Sequence, residues 1–296
     1  MVGKAPTRHT GVTQSEDLWR LGEHLLFCGD ARDPESYATL LGEETPRLVF
    51  ADPPYNVPIL GHASGLGRIK HLDFSMAAGE MTEEAYVDFL QATLGCMGDA
   101  LVDGGIAFLC IDWRHVEQAI RASKLAGLTL KNICVWVKTN GGMGTFYRSR
   151  HEFILVLKNG DGSHVNSFGL GDTGRYRTNV WEYPGVNAFG RERLEELAMH
   201  PTVKPTALVA DAIKDCSRRP DLILDPFAGS GTTIIAAEKT GRLARAMEID
   251  PHYCDVIVRR WQAYTGKRAV HTETGLSFEE VEAKRATTNE IEEIQK

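Results

Sequence analysis

Residues 222–233 read Leu-Ile-Leu-Asp-Pro-Phe-Ala-Gly-Ser-Gly-Thr-Thr, a short apolar run followed by a turn that contains Gly229 and Gly231. The residues after this turn predict a helix that ends at Gly241. A strand, a glycine turn and a helix in this order are typical of ligand-binding α/β folds, because glycine lets the backbone approach a ligand and the start of a helix offers unpaired N–H groups. The turn has no lysine, which a phosphate-binding P-loop requires, and Ile234 occupies the third glycine position of a dinucleotide fingerprint.

Short apolar runs alternate with helical patterns along the rest of the chain. The predicted strands cover residues 25–28, 48–51, 106–111, 132–138, 153–157, 221–224 and 243–247. This alternation predicts an α/β fold with a mostly parallel sheet between two layers of helices, and such sheets bind ligands outside the carboxyl ends of their strands. Glu248 follows the strand after the glycine turn, where a carboxylate can accept both hydroxyls of a ribose.

A second turn, Asp52-Pro53-Pro54-Tyr55, directly follows another predicted strand. The two prolines remove two backbone donors, so the turn presents carbonyl acceptors beside the Asp52 carboxylate and the aromatic face of Tyr55. An exocyclic amine of a base is a poor nucleophile, because its lone pair is delocalised into the ring. Hydrogen bonds from that amine to Asp52 and to the Pro53 carbonyl favour a tetrahedral nitrogen and stabilise the positive charge that grows as it attacks a methyl group. A base in a duplex reaches such a pocket only when it is flipped out.

The bulk composition argues against several classes of protein. The chain has 296 residues and a formal net charge of −7, which argues against a broadly basic, non-specific nucleic-acid binder. Between Lys138 and Arg193, however, Lys and Arg outnumber Asp and Glu. The cysteines form no CxxC pair and the histidines show no ligand spacing, so we expect reduced thiols in a cytoplasmic protein and no metal site. No apolar stretch has the length of a membrane-spanning helix, so we expect no membrane partner.

The two turns, in this order, resemble those of the amino-group DNA methyltransferases of the β arrangement, in which the catalytic Asp-Pro-Pro-Tyr motif precedes the cofactor turn. Further segments similar to motifs of that family are Cys28-Gly29-Asp30, Tyr147-Arg-Ser-Arg-His-Glu152 and His200-Pro-Thr-Val-Lys-Pro205. The resemblance covers roughly residues 20–265. It implies a Rossmann-like S-adenosylmethionine-dependent methyltransferase fold, with a mostly parallel seven-stranded sheet, one antiparallel strand and a circularly permuted motif order.

The resemblance also implies a role for each matching residue. The expected catalytic turn is Asp52, Pro53, Pro54 and Tyr55, in which Asp52 and Pro53 hold the target amine and Tyr55 stacks on the base. The residues expected to bind S-adenosylmethionine are Asp30, Thr202, Lys204, Asp225, Phe227, Ala228, Gly229, Ser230, Gly231, Thr232 and Glu248. Of these, Asp30 is expected at the adenine of the cofactor and Glu248 at its ribose. Those expected near its methionine carboxylate are Thr202, Lys204, Ser230 and Thr232.

The same resemblance divides the chain into parts. The expected parts are residues 20–139 as the catalytic half of the methyltransferase domain, 140–199 as an inserted target-recognition region, 200–266 as the cofactor-binding half, and 1–19 and 267–296 as flexible or accessory termini. The inserted region coincides with the locally basic stretch. Its candidates for contact with double-stranded DNA, above all with phosphates, are Arg148, Arg150, Arg175 and Arg177. Because this reader is small, a homodimer is left open.

The sequence leaves the target base open. Asp rather than Ser at position 52 favours adenine N6, as the family pattern implies, so the expected enzyme is a site-specific adenine DNA methyltransferase. Methylation of cytosine N4, of RNA or of a protein amide is an alternative with nearly the same chemistry. A DNA-binding module that binds the cofactor without catalysis is another alternative, although intact Asp52 and Tyr55 argue against it.

Overall fold

The computed structural model of the chain describes residues 11–57, 79–141, 146–168, 176–185 and 204–294. Its strands are β1 (Leu18–Leu21), β2 (His24–Cys28), β3 (Leu48–Ala51), β4 (Ile106–Ile111), β5 (Thr129–Val137), β6 (His151–Lys158), β7 (Val180–Glu182), β8 (Leu222–Asp225), β9 (Leu243–Glu248) and β10 (Val270–His271). Its α-helices are α1 (Pro34–Leu41), α2 (Glu83–Ala100), α3 (Val116–Leu125), α4 (Thr206–Cys216), α5 (Thr232–Thr240), α6 (Pro251–Thr265) and α7 (Phe278–Ile294).

The strands form a single sheet with the order β10-β1-β2-β9-β8-β3-β4-β6-β5-β7. Within it, the seven strands β2-β9-β8-β3-β4-β6-β5 form the predicted core, in which β6 is antiparallel to both of its neighbours and the other strands are parallel. The predicted Rossmann-like methyltransferase fold is therefore confirmed. The permuted order follows from the same sheet, because the strand before the glycine turn, β8, is central although it lies late in the chain.

The sheet extends beyond the predicted seven strands at both edges. β1 pairs with β2 and β10 pairs with β1, both antiparallel, while β7 adds to β5 in parallel. The polar start of the chain predicts a loose arm, but its described residues are packed: Trp19 is buried, with its ring centroid 5.2 Å from that of Phe278. The signal was missed because β1 is short and only alternate residues of it face the core.

Helices cover the two faces of the sheet, as the alternating pattern predicts. On β3, Val49 and Ala51 pack against the layer of α1, α2 and α3, whereas Leu48 and Phe50 pack against α4. Further along the sheet, α5, α6 and α7 complete that second layer. Among the described helices, none is both long and apolar enough to cross a membrane.

The pairing of β3 with β8 positions the two predicted turns. The strands are parallel, with Leu48 opposite Ile223 and Val49 opposite Leu224. Both strands therefore end at the same edge of the sheet, and the Asp52 turn and the glycine turn leave it side by side. This is the carboxyl edge, where parallel sheets bind their ligands.

One buried carboxylate fixes the start of the chain to the second helix layer. Asp255 on α6 accepts hydrogen bonds from the backbone N–H groups of Val12 (2.7 Å) and Thr13 (2.8 Å). Asp255→Ala leaves both buried donors unsatisfied, so we expect the free energy of unfolding to fall by about 3 kcal/mol in urea titrations. The control is Glu282→Ala, which breaks the exposed 2.7 Å ion pair with Arg259 and should cost less than about 1 kcal/mol. Equal losses in the two variants would contradict this role of Asp255.

Candidate active site

The expected catalytic turn, residues 52–55, is fixed at the end of β3 by a hydrogen bond from α2. The buried Tyr86 of α2 donates its hydroxyl to the Pro54 carbonyl at 2.9 Å, which occupies that acceptor and fixes the turn. No donor among the described residues contacts the Pro53 carbonyl, so this acceptor is available to a ligand. The Asp52 side chain keeps 20% of its surface exposed. The turn therefore presents one carbonyl and one carboxylate next to each other.

Lys204, which precedes α4, binds the catalytic carboxylate. Its ammonium lies 2.6 Å from Asp52 Oδ2, 3.0 Å from the Tyr55 hydroxyl and 3.0 Å from Glu152 Oε2, and its side chain is only 5% exposed. The sequence predicts Lys204 at the methionine carboxylate of the cofactor. The structure gives this residue a different partner, because Asp52 needs a counter-charge where it is partly removed from water.

Tyr55 also contacts Asp52 instead of standing free as a stacking surface. Its hydroxyl donates to Asp52 Oδ1 at 2.5 Å and lies 3.2 Å from Glu152 Oε2. The Lys204 ammonium lies 5.3 Å from the centre of the Tyr55 ring. Tyr55 therefore helps to orient the carboxylate, and its expected stacking on the base stays a prediction.

Glu152 and Lys138 were missed as site residues. Glu152 is near the start of β6, and its second oxygen, Oε1, forms an ion pair with Lys138, which follows β5. The Lys138 ammonium also lies 4.6 Å from the centre of the Trp136 ring. Its position in the sequence could have identified Glu152 as a site residue. Glu152 is an acidic residue near the start of an apolar strand, and this strand follows the loop next to the site.

The charges in this cluster compensate each other. Burial raises the pKa of Asp52, Lys204 lowers it, and the nearby Glu152 raises it again. Burial also raises the pKa of Glu152, but the two lysines outweigh this effect and lower it to about 2. For Lys204, burial lowers the pKa, and the two carboxylates raise it well above its ordinary value. Two carboxylates thus face two ammonium groups, and the net effect of burial and these charges still raises the pKa of Asp52.

The glycine turn forms the second half of the site. The Glu248 carboxylate accepts the N–H groups of Gly229 at 2.8 Å and of Asp250 at 3.0 Å, and Asp225 accepts the N–H of Phe227 at 3.0 Å. Burial raises the pKa of Glu248 to about 7 and that of Asp225 to about 7. The negative charge of Asp52 contributes to the raised pKa of Asp225, so the two turns interact electrostatically.

Glycine is required at position 231. Its φ is +80°, and a Cβ there would lie 2.9 Å from the Ile257 side chain. Arg260 of α6 stabilises the turn. Its guanidinium donates to the Ser230 hydroxyl and carbonyl at 3.0 Å and to the Thr232 hydroxyl at 3.2 Å. The sequence patterns did not predict this residue. The hydroxyls predicted near a cofactor carboxylate are thus already hydrogen-bonded to an arginine, whereas Ala228 and Gly229 line the turn.

Asp30 lies at the same edge, after β2. The β2–β9 register places Cys28 opposite Glu248, and the Gly29 N–H donates to the Glu248 carbonyl at 3.1 Å. The carboxylate of Asp30 forms a double hydrogen bond with Arg32, whose Nη2 lies 2.6 Å from Oδ2. Asp30 therefore lies near Glu248, and its expected role at the adenine of the cofactor stays a prediction.

The predicted DNA-contacting arginines have different environments. Arg148 and Arg150 are near the site, in the segment between β5 and β6. Arg177 is corrected as a candidate: it lies 3.0 Å from the buried Asp215 of α4 and stacks on Trp181, so it holds β7 against α4. The remaining predicted residues, Arg175 and Thr202, lie outside the described residues. Residues 56–80 are rich in Gly and His and predict a loop, of which residues 58–78 also lie outside the described residues.

No metal site is apparent in the described parts of the chain. No group of three or more His, Cys, Asp or Glu residues there is arranged to hold an ion.

Asp112, which resembles a catalytic residue at first sight, caps the turn at Trp113–His115 by accepting the N–H of Arg114.

Known proteins resemble this chain, one of them over a short stretch and another over most of its length. The Type II methyltransferase M.ScaI of Streptomyces caespitosus is 40% identical over 90 residues, a match that spans only 30% of each protein. The DNA adenine methyltransferase YhdJ of Escherichia coli K12 is 28% identical over 247 residues, which cover 73% of this chain and 76% of that protein.

Comparison of folds agrees with the sheet described above. The crystal structure of the M1.HpyAVI–SAM complex superposes with a TM-score of 0.58 at 19% identity, covering 79% of this chain and 97% of that one. A family model described as DNA methylase, N6_N4_Mtase, matches residues 47–259, which include both turns, Glu152 and Lys204. That match spans well over half of the sequence, and the chain therefore belongs to the N6/N4 DNA methylase family.

Proposed function

We propose that this protein is an S-adenosylmethionine-dependent methyltransferase that modifies N6 of adenine in double-stranded DNA. The observation that supports the proposal is the adjacency of two turns at one sheet edge: the Asp52 carboxylate with the Pro53 carbonyl, which no donor of the described residues contacts, and the glycine turn with Glu248. The first suits an amine, and the second suits a nucleoside. A methyl transfer requires both within one pocket.

The donor groups of the second turn fit S-adenosylmethionine. Glu248 ends β9 with a buried carboxylate that suits the two ribose hydroxyls. The turn at residues 228–231 leads directly into α5, whose N-terminus favours a carboxylate. When bound, this cofactor supplies an electrophilic methyl group on a sulfonium. The M1.HpyAVI–SAM complex, a neighbour in fold, supports the assignment by analogy.

The residues of the first turn prepare the target amine. Asp52 accepts one hydrogen of the amine and the Pro53 carbonyl accepts the other, which directs the nitrogen lone pair toward the methyl group. As the nitrogen becomes positively charged, the negative charge of Asp52 stabilises it. Lys204 and Tyr55 hold the carboxylate in place through contacts of 2.6 Å and 2.5 Å, so little reorganisation is needed during the reaction. The raised pKa of Asp52 suits it to accept the proton that the methylated nitrogen releases.

Adenine is favoured over cytosine by two independent points. The motif begins with Asp52, and the YhdJ relative is named as a DNA adenine methyltransferase.

Residues 140–199 are the part of the chain that we expect to read the target, with Arg148 and Arg150 as contacts to phosphate. The six cysteines carry no disulfide, which fits action on DNA in the reducing cytoplasm.

The target base is tested by analysing the product. DNA from cells that express the protein is digested to nucleosides, and the methylated positions are mapped in the genome. We expect N6-methyl-2′-deoxyadenosine at one recurring short sequence and no N4-methyl-2′-deoxycytidine. N4-methyl-2′-deoxycytidine alone would refute the adenine assignment while leaving the chemistry of the Asp52 turn intact.

Removal of the Asp52 carboxylate should slow turnover strongly and leave the affinity for the cofactor almost unchanged. We expect Asp52→Ala to lower kcat by about 100- to 1,000-fold, because the growing charge on the amine loses its acceptor. The affinity for S-adenosylmethionine, measured by calorimetry, should change less than about threefold. Asp103→Asn, on the opposite edge of the sheet at the start of β4, is the matched control and should retain wild-type activity. A kcat in Asp52→Ala close to the wild-type value would remove Asp52 from the mechanism.

Cofactor affinity should depend on pH near neutrality. The pKa of Glu248 is raised to about 7 by burial, and only the ionised carboxylate can accept from both ribose hydroxyls. Because protonation competes with binding below this pKa, we expect the Kd for S-adenosylmethionine to be about tenfold higher at pH 6 than at pH 8. Glu248→Gln should bind more weakly and with a smaller pH dependence, since Asp225 still titrates in the same range. An identical Kd at the two pH values in the wild type would contradict the assignment of Glu248 to the ribose.

A further inference from the structure

Two aromatic side chains project into solvent beside the proposed catalytic pocket. Phe146 is 87% exposed and Tyr147 is 85% exposed, and their rings touch edge to face with centroids 4.7 Å apart. Neighbouring large apolar side chains that remain in water on a folded protein commonly mark a binding surface. The pair belongs to none of the catalytic, cofactor-binding or DNA-binding residues proposed for the site.

The pair lies at the edge of the sheet that holds the site. β5 is parallel to β3 through β4 and β6, so the segment between β5 and β6 leaves the sheet at the same carboxyl edge as Asp52. Tyr147 is five residues before Glu152, a span of at most about 17 Å of extended chain. Glu152 in turn lies 3.2 Å from the Tyr55 hydroxyl. The aromatic pair is therefore within a few base-pair steps of the pocket.

The segment that carries the pair suits a polyanion. From Lys138 to His151 the sequence contains Lys138, Arg148 and Arg150 but no Asp or Glu. Because Lys138 pairs with Glu152, the two arginines supply the positive charge of this segment. The described ends of this segment lie close together, because the Arg148 guanidinium donates to the Gly141 carbonyl at 3.1 Å and the Arg150 guanidinium donates to the Lys138 carbonyl at 3.2 Å. An exposed aromatic pair within a positive, acid-free segment combines the two features that bind stacked bases along a phosphate backbone.

On the basis of the proposed function, we propose that Phe146 and Tyr147 form an aromatic wedge that enters the base stack of duplex DNA and fills the gap left by the flipped base. The occupant of this surface is an unstacked step of DNA. A flipped base leaves its neighbours without a stacking partner, and an aromatic ring replaces that partner whatever the sequence. The wedge thus stabilises the open duplex while Asp52 holds the extruded base.

The test measures DNA binding and needs neither methyl transfer nor the recognition sequence. Fluorescence anisotropy compares an intact duplex with the same duplex carrying one abasic site, which is already unstacked. We expect the wild-type protein to bind the abasic duplex about tenfold more tightly. The double variant Phe146→Ala/Tyr147→Ala should lose this preference while binding the intact duplex within about threefold of the wild type, because the arginines still contact phosphate.

Tyr176→Ala is the matched control. Tyr176 is also a strongly exposed aromatic residue, 77% exposed, and it precedes β7 at the edge of the sheet opposite to the carboxyl edge. It should keep the tenfold preference. Retention of the preference in the double variant would overturn the wedge, and so would an equal loss of affinity for both duplexes. A changed oligomeric state of the double variant in analytical ultracentrifugation would overturn it too, because the pair would then be a protein interface.

The outcomes separate the wedge from the enzyme activity. A wild-type protein that methylates DNA without an abasic preference leaves the proposed function standing and refutes the wedge. A wild-type protein that shows the aromatic-dependent preference but transfers no methyl group supports the wedge and refutes the proposed function. Thermal unfolding of the double variant at the wild-type temperature confirms that neither result reflects misfolding.

Discussion

The parallel hydrogen bonds between β3 and β8 hold together two turns that lie far apart in the chain. Their register aligns Val49 with Leu224, so Asp52 and Phe227 each stand three residues beyond the same pair. A shift of one residue would exchange the two faces of the strand and bury Asp52 on the wrong side. Because alternate residues of β3 pack against different helix layers, the core on both faces enforces this register.

The same edge confines a carboxylate that the chemistry needs in its charged form. Lys204 supplies the counter-charge, and it comes from the half of the chain that carries the glycine turn, whereas Asp52 belongs to the other half. The two halves are therefore joined by an ion pair as well as by the sheet. A carboxylate has about four acceptor positions, and Lys204 and Tyr55 occupy two of those on Asp52. In the proposed mechanism, the target amine therefore has acceptor positions left on Asp52 besides those that Lys204 and Tyr55 occupy.

Sequence patterns predicted the seven central strands and both turns, because buried parallel strands and the prolines and glycines after them leave strong local signals. The partners of long polar side chains left no such signal. Lys204 was expected at the cofactor, yet its flexible stem carries its charge to Asp52, and Arg177 folds against Asp215. Such pairings depend on which elements become neighbours. The edge strands β1 and β10 were missed because they are short and leave little pattern in the sequence.

The distribution of charge over the fold explains how an acidic chain can present one surface to DNA. The Glu-rich helix α7 packs beside β1 and β10 at one end of the strand order, whereas the basic segment after β5 lies near the other end. Electrostatic forces act over only about 8 Å at physiological ionic strength, so the net charge of −7 weakly opposes contact at the basic edge. Repulsion at the acidic end and attraction at the basic end together orient the molecule. For the proposed DNA substrate, this distribution favours approach from the side of the basic segment after β5, which leaves the sheet at the same carboxyl edge as Asp52.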